Sequence, residues 1–235
     1  MSDKNIVECK KLCIGYEHKS LTEPFDIELK ENHWYGIIGA NGTGKTTFFK
    51  TLLGIIKPIS GEIRILDSSI GKHNIFISYI PQERELNTND ITSAYTLILS
   101  SYKAFKWGIP FYNKSLTKRV DEILEIIGAS AFAHKPFNNL SGGQKKRIYL
   151  AQSLINDSKL VLMDEPLADL DPDSRQSFLQ SLRSIHKETT LSLMMISHDM
   201  HEIAQYLDAF IHFKDNKVHL CREEPCIKES AYVGV

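Results

Sequence analysis

An α/β fold is what this sequence predicts, on three observations. Apolar runs such as Trp34-Tyr-Gly-Ile-Ile38, Lys159-Leu-Val-Leu-Met163 and Leu191-Ser-Leu-Met-Met-Ile196 have the length and continuity of buried strands. Stretches of helical spacing stand between them, as in Leu116–Ile127 and Lys145–Ile155. Glycine-rich or acidic turns follow the runs, where an open parallel sheet holds its ligands. With 235 residues, the chain has room for one large domain, or a core with a subdomain, around a substantial apolar interior. The formal net charge is −1, so no basic field argues for a nucleic-acid partner. No apolar run approaches the roughly 20 residues needed to cross a bilayer. The start, Met1-Ser-Asp-Lys-Asn5, lacks the apolar core of a signal peptide. The expectation is a cytoplasmic protein that meets a membrane only through a partner.

Taken in order, residues 5–35 read mostly as strands. Ile6–Ile14 and Phe25–Leu29 alternate apolar with polar residues around a polar loop at 15–24. Tyr16 in that loop is either a half-buried ring on the sheet edge or a stacking platform for a purine. The strand Trp34–Ile38 then runs into Gly39, Ala40, Asn41, Gly42, Thr43, Gly44, Lys45, Thr46 and Thr47, and a helix follows through Leu53. G-x-x-x-x-G-K-T between strand and helix is the phosphate-binding loop in its working context. Its glycines let successive N–H groups converge on phosphate oxygens, and the helix points its positive end at the same anion. Lys45 adds a charge for the outer phosphates, and the Thr46 hydroxyl offers a ligand to Mg²⁺. An inert glycine turn would not need all these positions in this context. The chain binds a nucleoside triphosphate.

Gly54 and Pro58 break the first helix, and Gly61–Leu66 and Asn74–Ile80 resume strands, the latter closed by Pro81 and followed by Gln82. Residues 84–139 read as a mostly helical insertion, with Leu116–Ile127 ended by Gly128. Within it Phe105–Tyr112 is an aromatic, non-helical stretch, either local packing or part of a docking surface. Leu140-Ser-Gly-Gly-Gln144 opens a strong helix, a second helix end able to bind anions. The strand 159–163 ends in Asp164-Glu165-Pro166, where Asp164 would hold Mg²⁺ through water and Glu165 would polarise the attacking water. Asp171 caps a helix through about residue 188, with Pro172 in its first turn. After the strand 191–196, His198 stands at another strand end, placed to contact a γ-phosphate and orient the carboxylate. A helix near 200–207 and a hairpin over 210–220 finish the chain, with His212 and His219 on the hairpin's polar face. Cys9, Cys13, Cys221 and Cys226 have no zinc-ribbon spacing, and the expected compartment favours free thiols. Of the two readings of His212, His219, Cys221 and Cys226, the hairpin is preferred over a metal site.

Together these residues resemble the ATP-binding cassette family over nearly the whole chain. Leu140-Ser-Gly-Gly-Gln144 matches the family's signature motif and separates the chain from other phosphate-loop proteins. Tyr16 matches the adenine-stacking aromatic, Gln82 the glutamine-loop residue, Asp164 and Glu165 the second nucleotide motif, and His198 the switch histidine. Leu167–Asp171 resembles the dimer-contact loop, with Asp169 in place of a smaller residue, and Gln152 stands where many members have arginine. The resemblance implies a phosphate-loop NTPase (RecA-like) core over 1–83 and 140–235, with an amino-terminal antiparallel β subdomain and an inserted α-helical subdomain over 84–139. It implies ATP and Mg²⁺ as cofactors and an ATPase with Lys45, Glu165 and His198 as catalytic groups. Mg²⁺ would be held by Thr46, Gln82 and Asp164. Two copies would pack head to tail, each ATP lying between the phosphate loop of one and Ser141, Gly142, Gly143 and Gln144 of the other. Further implied partners are integral membrane permease subunits and an extracytoplasmic substrate-binding protein.

The single short cassette resembles the ATPase subunits of bacterial importers. The helical region and the closing hairpin are similar to those of zinc and manganese uptake systems. ATPases for iron chelates, cobalamin or lipid export share the catalytic motifs and stand as alternatives. A soluble cassette for DNA repair or ribosomes is a further one. Repair members carry a long coiled coil before the signature, and no sustained heptads occur here.

Overall fold

The computed structural model describes residues 4–17, 19–70, 76–82, 92–102, 114–197 and 203–221. The chain divides into two compact units. The first comprises Met1–Tyr79, Lys159–Pro166 and Thr190–Val235, and the second Ile80–Ser158 and Leu167–Thr189. The helical stretch expected over 84–139 falls within the second unit, which also takes in the helices at 142–155 and 172–188.

The first unit carries two larger sheets. β1 (Asn5–Cys13), β4 (Phe25–Lys30), β6 (Ser60–Ile65) and β7 (Ser68–Ser69) form a four-stranded sheet in the order β4-β1-β6-β7. Its pairings are antiparallel, as the alternating sequence predicts. The loop expected at 15–24 contains a further small hairpin, β2 (Gly15–Tyr16) with β3 (Lys19–Ser20).

The second sheet contains β5 (Trp34–Gly39), β8 (Ile77–Ile80), β9 (Leu160–Asp164), β10 (Ser192–Ile196), β11 (Ala209–Lys214) and β12 (Lys217–Cys221). Their order is β12-β11-β5-β10-β9-β8. β5 pairs in parallel with both β10 and β11, and β10 in parallel with β9. Buried on both faces, these strands read as unbroken apolar runs rather than alternations. The register aligns Ile37, Ile196 and Asp164 in one row, so three strand ends reach the same edge together.

Helix α1 (Lys45–Leu52) leaves β5 through the glycine loop and sinks Phe48, Phe49 and Leu52 into a cluster fed by both sheets. Phe48 sits edge-on to Phe25 and beside Phe213, with ring centroids 6.1 and 5.8 Å apart. Each such buried ring contributes roughly 2–3 kcal/mol. Their burial fixes where the helix begins, and so where the loop closes.

The second unit holds α2 (Ala94–Ser101), α3 (Lys114–Ile126), α4 (Gly142–Ile155) and α5 (Pro172–Glu188). Leu116, Val120, Ile123 and Leu124 form the apolar stripe of α3. Ser181 of α5 donates to the Ile127 carbonyl at 2.6 Å, closing the end of α3. Gln152, the departure noted after the signature, donates from α4 to the Leu97 carbonyl of α2 at 3.2 Å.

Of the helix expected near 200–207, Ile203 is helical and Ala204–Tyr206 form a 3₁₀ turn, while 200–202 lie outside the described residues. Two expectations need correction. His212 is buried, not on a polar face, because β11 is flanked by β5 and β12; it lies opposite exposed His219 with ring centroids 5.1 Å apart. Cys9 and Cys13 are free, but Cys221 is disulfide-bonded, contrary to the expected free thiols. That expectation rested on compartment alone, whereas the distance between sulfurs decides whether a bond can form. Burial, with Asp26 adding to it, pushes the Cys9 thiol up to about 12, so it stays a protonated core group.

Candidate nucleotide site

The site is built where β5 ends. Gly39 has φ 150°, and a Cβ there would stand 2.4 Å from the Phe213 carbonyl oxygen. Only glycine lets the loop leave β5 so close to β11. Gly44 has φ 105° and occupies the N-cap of α1 with no capping side chain, and α1 has no acidic residue in its first turn. The first N–H groups of α1 are therefore left to an incoming anion. Thr43 Oγ1 donates to the Ala40 carbonyl at 2.9 Å and braces the loop from within.

Lys45 is buried and donates to the carbonyls of Gly39 at 2.7 Å and Ala40 at 2.9 Å. Burial lowers its pKa, while Glu165 and Asp164 act in the opposite sense. Those two carboxylates are themselves buried, although they lie more than a hundred residues further along the chain. Glu165 has φ 48°, and its N–H donates to the Ile196 carbonyl at 2.9 Å. A non-glycine residue in the left-handed region costs of order 1–3 kcal/mol. A strand-end hydrogen bond holds that backbone conformation.

Tyr16 is half-exposed, and its phenol oxygen accepts from Thr47 Oγ1 at 3.2 Å. The ring is thus pinned beside the first turn of α1 while leaving a face open. Thr46, between Lys45 and Thr47, is partly buried. Asn41 and Gly42 are exposed at the loop's tip. Ser197, preceding His198, is buried at the end of β10. His198 itself lies outside the described residues, as do Phe105–Tyr112 and Cys226.

Tyr79 is a site residue that sequence reasoning misses. Its phenol donates to Asp164 Oδ2 at 3.4 Å, and its ring meets Phe49 edge-on at 6.3 Å. Burial first, then Asp164, pushes the phenol up to about 12, so it remains a donor at neutral pH. A tyrosine in a buried strand must find a partner for its hydroxyl, and that requirement is the only signal the sequence offers.

The second unit carries the remaining expected residues. Gln82 is exposed just beyond β8. Ser141 caps α4 in a reciprocal box: the Gln144 N–H donates to Ser141 Oγ at 3.3 Å, and the Ser141 N–H donates to Gln144 Oε1 at 3.0 Å. Gly143 is buried against α5, where a Cβ would come within 2.9 Å of Ser174 Cβ. Lys146 Nζ donates to the Ala168 carbonyl at 2.8 Å, tying α4 to the loop over 167–171. In that loop Asp169 has φ 59°, a left-handed conformation that Gly, Asn and Asp tolerate best.

A hollow of about 720 Å³ on the four-stranded sheet, lined by residues such as Lys10, Lys11, Asp26 and Glu62, mixes charges of both signs. Volume alone does not mark the site; convergent chemistry does.

The glycine loop, the uncapped α1 and the acidic pair on a parallel sheet define a phosphate-loop nucleotide-binding domain. A family model described as ABC transporter matches residues 22–168. The zinc transport system ATP-binding protein TroB of Treponema pallidum is 30% identical over 203 residues, covering 86% of this chain and 76% of that protein. The high-affinity zinc uptake system ATP-binding protein ZnuC of Bacillus subtilis is 29% identical over 209 residues, covering 88% and 90%. The solved structure of cbiO1 from Clostridium perfringens, part of the ABC transporter complex cbiONQ, matches with a TM-score of 0.83 at 26% identity. That match covers 98% of this chain and 93% of the other. The chain belongs to the ABC transporter family, as one of its ATPase subunits. No described helix is long and apolar enough to cross a membrane.

Proposed function

We propose that this subunit hydrolyses ATP to drive a separate membrane permease that takes up a divalent metal such as zinc or manganese. The single observation that carries the catalytic reading is the placement of buried Lys45 in the electrostatic reach of Asp164 and Glu165. An incoming triphosphate would replace the two loop carbonyls as the partner of the Lys45 ammonium, with Asn41–Thr47 wrapping the phosphates. Thr46 Oγ1 and Asp164, both in the first unit, fit Mg²⁺ because they are hard oxygen donors of the kind that ion takes, and the family resemblance would add the amide oxygen of Gln82. When bound, Mg²⁺ neutralises charge on the outer phosphates. Glu165, buried just beyond β9, would accept a proton from the attacking water. His198 would hold the γ-phosphate and orient that carboxylate, and the exposed ring of Tyr16 would stack on adenine.

Ser141 gives physical support to a head-to-tail pair of copies. In the capping box its oxygen accepts from Gln144, so its own hydrogen is left to donate. With Gly142, Gly143 and Gln144 it would meet the γ-phosphate of an ATP held by a second copy. Gln82 would report the nucleotide state to the permease, which would keep the subunit on the inner face of the membrane. An extracytoplasmic binding protein would deliver the metal. Metal uptake rests on likeness to TroB and ZnuC, whose names specify zinc.

The test compares Glu165→Gln with the unaltered chain for phosphate release and for mass in solution with and without Mg-ATP. The expected result is loss of turnover, by about a hundredfold or more, together with an ATP-dependent dimer. Normal turnover in the variant would overturn the role of Glu165. For the cargo, cells lacking the subunit should lose accumulation of labelled zinc or manganese. Intact metal uptake with lost uptake of an iron chelate or cobalamin would favour those alternatives.

A further inference from the structure

We infer that Tyr79 is a positioning residue for the metal-binding carboxylate, setting how strongly Mg²⁺ tightens ATP binding; this rests on the nucleotide reading above. Asp164 ends β9 and Tyr79 lies on β8, the neighbouring edge strand, 85 positions away in sequence. The phenol reaches only one carboxylate oxygen, Oδ2, at 3.4 Å. A carboxylate has two oxygens and a nearly free terminal torsion, so a donor on one of them selects the direction in which the other faces. The Tyr79 ring is itself held, because it packs on the core of the first unit and meets Phe49 at an interplanar angle of 80°. Phe49 is fully buried on α1, the helix that opens with Lys45 and Thr46. Thus the helix carrying the Thr46 hydroxyl and the strand carrying Asp164 are joined through one tyrosine, by its ring and by its hydroxyl.

A ring serving only as core packing would not need an oxygen aimed at a carboxylate. Tyr79 also precedes Ile80-Pro81-Gln82, so the same hydrogen bond anchors the strand end from which Gln82 departs. Removing the hydroxyl would leave Asp164 able to bind, but without a fixed direction. The loss should appear only when the metal is present.

Tyr79→Phe keeps the ring and deletes one atom, so folding should survive. A fluorescent ATP analogue is titrated into the unaltered chain, Tyr79→Phe, Asp164→Asn and the double variant, in EDTA and in Mg²⁺. The expected result is an affinity for Tyr79→Phe in EDTA within about twofold of normal, and roughly a five- to tenfold loss in Mg²⁺, in keeping with one long hydrogen bond to a charged group. In the Asp164→Asn background that loss should shrink to about twofold or less. Equal affinities of Tyr79→Phe and the unaltered chain in Mg²⁺ would overturn the inference alone. So would a full loss that persists in the Asp164→Asn background, since Tyr79 would then act by another route. Failure of the unaltered chain to bind ATP in either medium would overturn the nucleotide reading, and this one with it.

Discussion

Two helices in this protein begin with glycine-rich sequence, and they begin in opposite ways. α1 starts at a left-handed Gly44 with no capping side chain and no acid in its first turn, so its N–H groups are unspent. α4 starts with Ser141 and Gln144 closed into a reciprocal box, so two of its N–H groups are already satisfied. The first end lacks local partners and is completed only by a ligand. The second is complete as a helix end and offers what is left over, a hydroxyl hydrogen and the N–H groups of the glycines. A composition argument treats both as anion sites of one kind. On the function proposed above, their capping chemistry suits the first to hold phosphate directly and the second to sense phosphate already held by another copy.

The sharpest way to break that contrast is to remove the charge at the open end. Lys45→Ala leaves the loop carbonyls of Gly39 and Ala40 without the ammonium that bridges them and strips a buried cation from beside Asp164 and Glu165. Loss of about 2–3 kcal/mol of charge-assisted hydrogen bonding converts to roughly 30- to 150-fold in ATP affinity, with turnover at background. Equilibrium binding of labelled ATP by the isolated chain measures it directly. An affinity within a few fold of normal would show that the backbone N–H groups of α1 suffice by themselves.

A smaller effect, and a different kind, is expected at the closed end. Ser141→Ala removes the acceptor for the Gln144 N–H and should cost about 1 kcal/mol of stability. ATP affinity of a single chain should be unchanged, while ATP-dependent pairing and turnover fall by about tenfold or more. Thermal melting, nucleotide titration and mass in solution separate the three. If Ser141→Ala weakened ATP binding to an isolated chain, the division between primary site and sensor would fail.

Much of this arrangement is legible in the sequence, and the rest is lost for identifiable reasons. β5, β9 and β10 can be read because a central parallel strand is apolar throughout, and the glycine loop because strand and helix bracket it. The Ser141–Gln144 box is written in the sequence, since its spacing is that of a capping box, but the glycines between draw the eye first. The burial of His212 is not legible, because it depends on β5, some 170 positions earlier, lying beside β11. The same holds for the bond from Tyr79 to Asp164, which joins strands far apart in the chain. Nor can the left-handed backbone of Glu165 and Asp169 be foreseen, since neither is glycine and only their surroundings hold them there. Local chemistry is thus readable wherever neighbours in sequence are neighbours in space.

The smallest effect uses a third helix start to place charge between these extremes. α5 is capped by Asp171, which accepts from the Ser174 N–H at 2.9 Å. Hydrogen bonding to Ser174 holds the Asp171 carboxyl below its ordinary value. A carboxyl with a depressed folded pKa contributes stability above its unfolded pKa, near 3.9, and loses it as pH falls through the folded value. Asp171→Asn preserves an equally good N-cap without the ionisation. Melting of variant and parent should therefore nearly coincide at neutral pH. Below about pH 4 the parent should lose stability that the variant keeps, so a gap opens between the two melting curves in acid, with the parent melting lower. Asp171 is exposed, so solvent screens the charge and the shift should be a degree or two at most. A parallel fall of both curves from neutral to acid pH would show that α5 is closed by hydrogen-bond geometry alone, the same way the hydroxyl of Ser141 closes α4.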